Sequence, residues 1–384
     1  MAQSCDRIVA GLRRIDARIH VVHLSRRPGR EQERLQHGGS LLTWPLGDDH
    51  EHALARLHAR VLSGRHPPAP DPPTGDQAGP RGPTHLVAFG GTLPLLAGPV
   101  LAASLGIPLV TLLRGNDLDT GVVSLRRRPI VADAMARSAL VCCVSRDKQH
   151  LVEAMWPGTP TAFTPNGIDL DEWEVTPADR QRAAAWRRAT VAPERRVIGL
   201  FGHLKAKKGV DWFLTTIERA GLTDRFHLLL VGELDPATSS LLDPARCTHV
   251  PFGDRYDLLS HLPACDVVAI PSFYDGLPNV LLEAAAAGVP LLAADTAGMA
   301  DTLGDGSAAF LFRPDDGPQL EAALAEVATC GREELVLRGK AARELVVRHH
   351  TSEREAARYR EVLTTVLTGR GAGPGPRPTP EPGP

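Results

Sequence analysis

PSFYDGLPNVLLEAAAAGVPLLAAD, Pro271–Asp295, decides how the second half of this chain folds. The apolar run Val267–Ile270 leads into it. A loop follows with Asp275, Gly276, Leu277, Pro278 and Asn279, then Val280–Ala287 with the Leu- and Ala-rich composition of a helix, then Leu291–Ala293 as the next strand. Short apolar strands alternating with helices build a parallel, doubly wound sheet. Ligands bind such sheets beyond the carboxyl ends of the strands, and free N–H groups at the next helix N-terminus suit a phosphate. The loop is therefore placed where a diphosphate could rest.

The alternation extends outward in both directions. Val197–Phe201, His227–Val231 and Ala309–Phe312 read as further strands of the second half. Ile19–Leu24 (IHVVHL), His85–Phe89, Leu109–Leu113 and Leu140–Val144 read as strands of the first, after a helix marked by Cys5, Ile8, Val9, Leu12 and Ile15. A chain of 384 residues, 43% hydrophobic, exceeds what one core usually fills. The expected fold class is α/β, with two Rossmann-like doubly wound domains. Residues 1–175 form the first, interrupted by a flexible Pro- and Gly-rich excursion over 63–84. The polar, Arg-rich segment 176–196 is read as a linker and 197–345 as the second domain. A helix over 346–368 and a disordered tail over 369–384 close the chain.

Composition removes several function classes. Lys and Arg number 43 against 45 Asp and Glu, so the formal charge of −2 gives no general pull toward nucleic acid or anionic membrane. The six cysteines show no CxxC pair or metal-ligand spacing and read as reduced thiols of a cytoplasmic protein. Leu86–Leu113 is uncharged and long enough to span a bilayer, but its three prolines and four glycines favour strand, turn, helix and strand in a buried layer. No GxGxxG or GxxxxGK[ST] follows an expected strand, which argues against a dehydrogenase or P-loop enzyme. The two Asp-Leu-Asp triplets at Asp117 and Asp169 lie inside better patterns, and no metal or other cofactor is expected.

Asp275 and Glu283 are spaced so that both could line one pocket, one in the loop and one about two turns into the helix. Carboxylates there can accept hydrogen bonds from sugar hydroxyls; taken alone, the pair reads more readily as a helix cap, Asp275, and a solvated acid, Glu283. In FGHLKAKKGVDWFL, Phe201–Leu214, a strand ends at Gly202 and His203, and Lys208 stands just before Gly209 and a helix. An ammonium beside a helix N-terminus stabilises a leaving diphosphate. Lys205 or Lys207 could supply further positive charge beside His203. RGND, Arg114–Asp117, ends the strand Leu109–Leu113, and Arg114 could pair with phosphate or with Asp117. His349 and His350 sit in a polar helical region and read as solvated; Arg126–Arg128 reads as a surface run.

Together these segments resemble the family 4 retaining glycosyltransferases with the GT-B fold. The 271–295 stretch resembles that family's signature of two acids before an Ala-rich helix and Gly-x-Pro, which implies that Glu283 contacts the nucleotide ribose and Asp275 lies by the donor sugar. The loop residues Gly276, Leu277, Pro278, Asn279 and Val280 then belong to the donor site. FGHLKAKKG is similar to its Gly-Arg-Leu-x-x-x-Lys-Gly motif, implying catalytic roles for Lys208 and His203 and a backbone contact at Gly202. PNGID, Pro165–Asp169, resembles its interdomain turn and brings in Asn166. DTAGMADTL, Asp295–Leu303, resembles its Gly-Gly-x-x-Glu loop, with Ala297 and Gly298 in the glycine positions. RGND occupies the place of its His-Gly-x-Asp, bringing in Arg114 and Asp117.

The resemblance implies transfer of a sugar from a nucleotide-diphosphate-sugar to a glycan, lipid-linked or small-molecule acceptor. It also implies retention of configuration without metal, and at most peripheral membrane contact. Three positions depart from the family: Asp275 where Glu is ordinary, His203 in place of Arg, and Arg114 in place of His. These departures keep open a nucleotide-sugar-binding protein without transferase activity, and a GT-B epimerase. The family's usual opening, a strand and a Gly-Gly turn, has no counterpart, and the sequence starts at the following helix. The expectation is that Met1 is an internal methionine of a longer reading frame, and that IHVVHL is left with an unpaired edge.

Overall fold

The computed structural model describes residues 2–15, 18–36, 38–63, 82–115, 117–251, 253–304 and 306–369. Most of the expected excursion over 63–84, and the tail beyond residue 369, lie outside them. The chain divides into two compact units. One runs to Thr164 and takes in the described residues from Glu355 onward; the other is Pro165–Arg354.

The first unit runs α1 (Ala2–Arg13), β1 (Ile19–Ser25), β2 (Gln32–Gln36), β3 (Gly39–Pro45), α2 (His50–Leu62), β4 (Leu86–Phe89), α3 (Thr92–Leu105), β5 (Leu109–Leu113), α4 (Asp119–Val122), α5 (Arg128–Arg137), β6 (Ser138–Cys143), α6 (Arg146–Met155) and β7 (Thr161–Phe163). The uncharged stretch 86–113 is thus strand, helix and strand. No described helix is long and apolar enough to cross a membrane. The strands form two sheets. In β4-β5-β6-β7 all are parallel; in β1-β3-β2, β1 is parallel to β3 and β2 is antiparallel.

Successive residues of β5 pack on opposite faces, as the pleat requires. Val110 and Leu112 join Ile8 and Leu12 of α1 on one side, while Leu113 meets Leu95 of α3 and Leu109 meets Ala102 on the other.

The second unit runs α7 (Pro177–Thr190), β8 (Arg196–Leu204), α8 (Val210–Arg219), β9 (Phe226–Leu234), α9 (Pro236–Ser239), β10 (Cys247–Val250), α10 (Arg255–His261), β11 (Val267–Ile270), α11 (Asn279–Ala286), β12 (Leu291–Ala294), α12 (Ala297–Leu303), β13 (Ala309–Phe312), α13 (Gly317–Thr329) and α14 (Arg332–His349). A last helix, α15 (Ser352–Leu367), carries the chain into the first unit from Glu355. The six strands lie in the order β10-β9-β8-β11-β12-β13, all parallel, so the order reverses between β8 and β11. Both faces of this sheet are covered, and β11 and β12 are buried at every position. That reversal is the topological switch point where doubly wound sheets bind ligands.

The segment 176–196 corrects a sequence expectation. It is no linker: most of it is α7, opened by a capping box in which Thr176 and Asp179 satisfy each other's backbone N–H, with Pro177 at the first turn. Ala183 is buried, and Arg187 bonds Asp266 (2.6 Å) beside β11, which fastens the helix within the second unit. All six cysteines are free thiols; burial pushes Cys142 and Cys143 up to about 12, so neither is reactive near neutral pH.

Glu355 is the buried electrostatic centre of the first unit. Its carboxylate accepts from Arg7 (2.6 Å) and Arg114 (3.1 Å) and is 1% exposed. Removing one partner of such a pair strands the others in a low dielectric, at a cost of roughly 3–5 kcal/mol. Glu355→Ala should lower unfolding stability by about that amount in urea titration; a loss under about 1 kcal/mol would contradict the role.

Candidate functional site

Glycines set the geometry at the switch point. At the end of β8, Gly202 (φ 104°) pairs with Gly232 (φ 136°) of β9, and a Cβ on Gly232 would stand 1.9 Å from the Gly202 carbonyl oxygen. The chain then makes a 3₁₀ turn over Ala206–Lys208 and reaches Gly209 in the left-handed region (φ 68°). A Cβ there would lie 2.0 Å from the carbonyl oxygen of Pro271, the first residue after β11. Only glycine permits this approach. It seats the loop after β8 on the loop after β11.

The consequence is an ion pair. Lys208 Nζ donates to Asp275 Oδ2, with the lysine half-buried and the aspartate more so. Gly276 N–H donates to the other Asp275 oxygen (3.0 Å). Two residues separated in sequence, both expected at a donor site, are thus in direct contact. Lys205 and Lys207 are exposed, as a solvated charge run would be.

The loop 275–279 is held from two sides. Gly298 N–H donates to the Gly276 carbonyl (2.7 Å), and a Cβ on Gly298 would stand 2.3 Å from that oxygen. Asn166 is buried; its Nδ2 donates to the Leu277 carbonyl (2.7 Å) and to Asn279 Oδ1 (3.4 Å). The ring of His350 donates from Nδ1 to the Asn166 carbonyl (3.0 Å). This corrects the reading of His350 as solvated: it is 5% exposed and anchors the turn. Leu277 and Pro278 are buried, and Trp212 packs against Phe273 with ring centroids 5.4 Å apart.

α11 therefore begins from a fixed loop. Its N-cap is Pro278, which supplies no side-chain cap, so the first N–H groups, at Asn279 and Val280, are left at the positive end of the helix dipole. Glu283 follows one turn after Asn279 and is 9% exposed, so it is no solvated surface acid. Next to this constellation, His203 is exposed and pairs through Nδ1 with Glu233 Oε2 (2.7 Å), its register partner on β9.

Arg114 and Asp117 belong to the first unit. Arg114 donates to the Tyr359 hydroxyl (2.5 Å) and to Glu355 (3.1 Å), and lies over the Phe89 ring. Burial alone would lower its pKa; Tyr359 and Glu355 outweigh that and hold it above its ordinary value. The Asp117 carboxylate accepts backbone N–H groups of Gly91 (2.7 Å), Arg114 (3.2 Å) and Gly115 (3.3 Å), tying the start of α3 to the end of β5. Asp119 of the same Asp-Leu-Asp triplet pairs with the buried Lys148.

Sequence reasoning missed Glu233, Pro271, His350, Glu355 and Tyr359. Only Pro271 had a local signal, as the residue ending an apolar strand.

The fold is α/β with two Rossmann-like units, and its class is GT-B. Sucrose-phosphate synthase from Thermosynechococcus elongatus superposes with a TM-score of 0.76, covering 94% of this chain and 92% of that one at 16% identity. The Anabaena protein HepE, solved with UDP-glucose, gives 0.67 over 82% of each chain at 18% identity. At such identities the likeness is one of fold. In sequence, residues 195–330 match the family described as glycosyl transferases group 1.

A D-inositol 3-phosphate glycosyltransferase of Geodermatophilus obscurus is 32% identical over 197 residues, 47% of this chain and 42% of that protein. The putative teichuronic acid biosynthesis glycosyltransferase TuaC of Bacillus subtilis is 26% identical over 216 residues, 54% and 52% of the two chains. The chain thus spans about half the length of the curated relatives it matches. The description of the matched family and the names of these relatives both speak of glycosyl transfer.

Two neighbouring residues in the first turn of α12 test the packing. Ala297 has φ 46°, a region that costs a non-glycine residue about 1 kcal/mol. Ala297→Gly should therefore raise the thermal midpoint, and Gly298→Ala should lower it by forcing the loop off Gly276. Shifts in the same direction in a thermal scan would contradict the account.

Proposed function

We propose that this chain is a glycosyltransferase that takes a sugar from a nucleotide-diphosphate-sugar held by the second unit. Transfer proceeds with retention of configuration, and protein cations take the place of a metal. The reading is carried by one observation: the Lys208–Asp275 pair sits beside the uncapped N-terminus of α11, at the switch point of a parallel sheet and within the segment that matches group 1 glycosyl transferases. HepE, a structural neighbour, is solved with UDP-glucose, which supports a donor of that kind.

Each group has a task under this reading. The Lys208 ammonium and the N–H groups of Asn279 and Val280 face the diphosphate and stabilise charge as it leaves. Glu283 accepts from the ribose, and Asp275 accepts from the sugar. His203 adds a second cation when protonated, with Glu233 holding its ring. Asn166, Leu277, Pro278, Gly276, Gly298 and Gly202 fix the backbone, so the donor groups need no rearrangement during the reaction. Asp275 neutralises Lys208 before donor arrives; the incoming diphosphate competes for that ammonium and frees Asp275 for the sugar.

Acceptor recognition is assigned to the first unit, with a glycan, lipid-linked or small-molecule acceptor. There Glu355 and Tyr359 hold the Arg114 side chain, and Asp117 accepts from the Gly91 N–H. The free thiols fit a cytoplasmic setting.

The test is a thermal-shift screen of nucleotide-sugars followed by transfer assays. A donor at a hundred times its Kd should add about 2.7 kcal/mol of stability. Lys208→Ala should then lower kcat by roughly 10²–10³. An unchanged kcat would sink the leaving-group role. Asp275→Asn should keep or tighten nucleoside-diphosphate binding while lowering turnover; weakened binding would contradict the competition just described.

A further inference from the structure

Between α4 and α5 of the first unit the chain reads VSLRRRP, Val123–Pro129. At the foot of this turn, Val122 and Ile130 pack against a buried cluster that includes Leu118 and Val131. At its tip, Val123 is 81% and Leu125 92% exposed, the two most exposed large apolar side chains among the described residues. Arg126, Arg127 and Arg128 are exposed beside them. The backbone under these side chains is fixed. Ser124 N–H donates to the Gly121 carbonyl (3.3 Å), and the Ser124 carbonyl accepts from the N–H groups of Arg127 (3.0 Å) and Arg128 (2.8 Å). Arg127 Nη1 donates to Thr120 Oγ1 (3.3 Å).

Neither the apolar pair nor the arginines serve the fold. The nearby acids are engaged elsewhere: Asp119 pairs with Lys148, Asp133 with Arg137, and the Asp117 carboxylate accepts backbone N–H groups. Among the described residues, none of the three arginines forms an ion pair. α5 has no acidic residue in its first turn, and its dipole already places positive charge where the arginines stand, so they repel it. Local choices that work against the fold concentrate where a chain meets something outside itself.

The chemistry selects the partner. A formal charge of −2 supplies no long-range field, so the attraction is local to this turn. Aliphatic side chains give nucleic acid no stacking platform. Two of them cover far less than the roughly 800 Å² per partner of a specific protein interface. A lipid surface needs only a shallow apolar insertion with cations around it.

We propose that the turn Val123–Arg128 docks the first unit on an anionic phospholipid bilayer. Val123 and Leu125 enter the boundary between head groups and acyl chains, and the three guanidinium groups meet lipid phosphates. The attachment is reversible: each arginine within about 8 Å of such a surface improves partitioning about fivefold. The inference concerns the first unit alone and does not rest on the donor reading.

Co-sedimentation of the full chain with vesicles tests it, comparing equimolar phosphatidylglycerol and phosphatidylcholine with phosphatidylcholine alone. The protein should bind the mixed vesicles, ignore the neutral ones, and be released as salt rises from about 0.05 M to about 0.5 M. Val123→Ser with Leu125→Ser should weaken binding about tenfold or more. Arg126→Gln, Arg127→Gln and Arg128→Gln together should weaken it about a hundredfold. Both variants alter exposed side chains only, so their thermal midpoints should match the parent's. No binding to the mixed vesicles, equal binding to both kinds, or binding that survives either set of substitutions would overturn the proposal. Binding to duplex DNA, lost with the arginines and absent from vesicles, would assign the turn to nucleic acid instead.

Discussion

The second unit depends on the close approach of two backbones, Gly209 against the carbonyl of Pro271. Parallel strands of an open sheet diverge in their loops unless something draws the loops together. A glycine in the left-handed region does so here, because no side chain intervenes. From that contact follow the meeting of Lys208 with Asp275, the direction of the loop to Leu277, and the place where α11 starts. A methyl group at residue 209 would separate Lys208 from Asp275 and from the start of α11. The ion pair is therefore held by packing, and the side chains add charge to a frame already set.

The same logic holds in the loop's surroundings. Asn166, expected as a ligand contact, spends its amide on Leu277 and Asn279, and His350 holds Asn166 in turn. This chain of bonds makes a short loop rigid without a disulfide or metal. In the first unit the comparable centre is Glu355, which neutralises two arginines and fixes Arg114 away from solvent. Arg114 is thus accommodated by a partner on the last helix.

What the sequence made legible was whatever depends on neighbours in the chain. β5, β11 and β13 end where their apolar runs end, and α11 starts within a residue of the expected position. β2, β7 and β10 were not legible: QERLQ is exposed throughout, TAF is three residues long, and CTHV mixes polar with apolar. Their pairing is set by sheet neighbours and not by a pattern of their own. α7 was hidden because its buried stripe is alanine amid arginines, and its cap, Thr176 with Asp179, was the signal overlooked. Arg114 could not be assigned because its partner Glu355 lies 241 residues away. The meeting of Lys208 with Asp275 was expected only as common membership of a site; the contact itself depends on Gly209, whose role appears in three dimensions.

The most direct measurement is a crystal structure with an intact nucleotide-sugar bound. The account predicts the diphosphate within hydrogen-bonding distance of Lys208 Nζ and of the N–H groups at the start of α11, with the ribose at Glu283. A donor seated away from both Lys208 and α11 would contradict it.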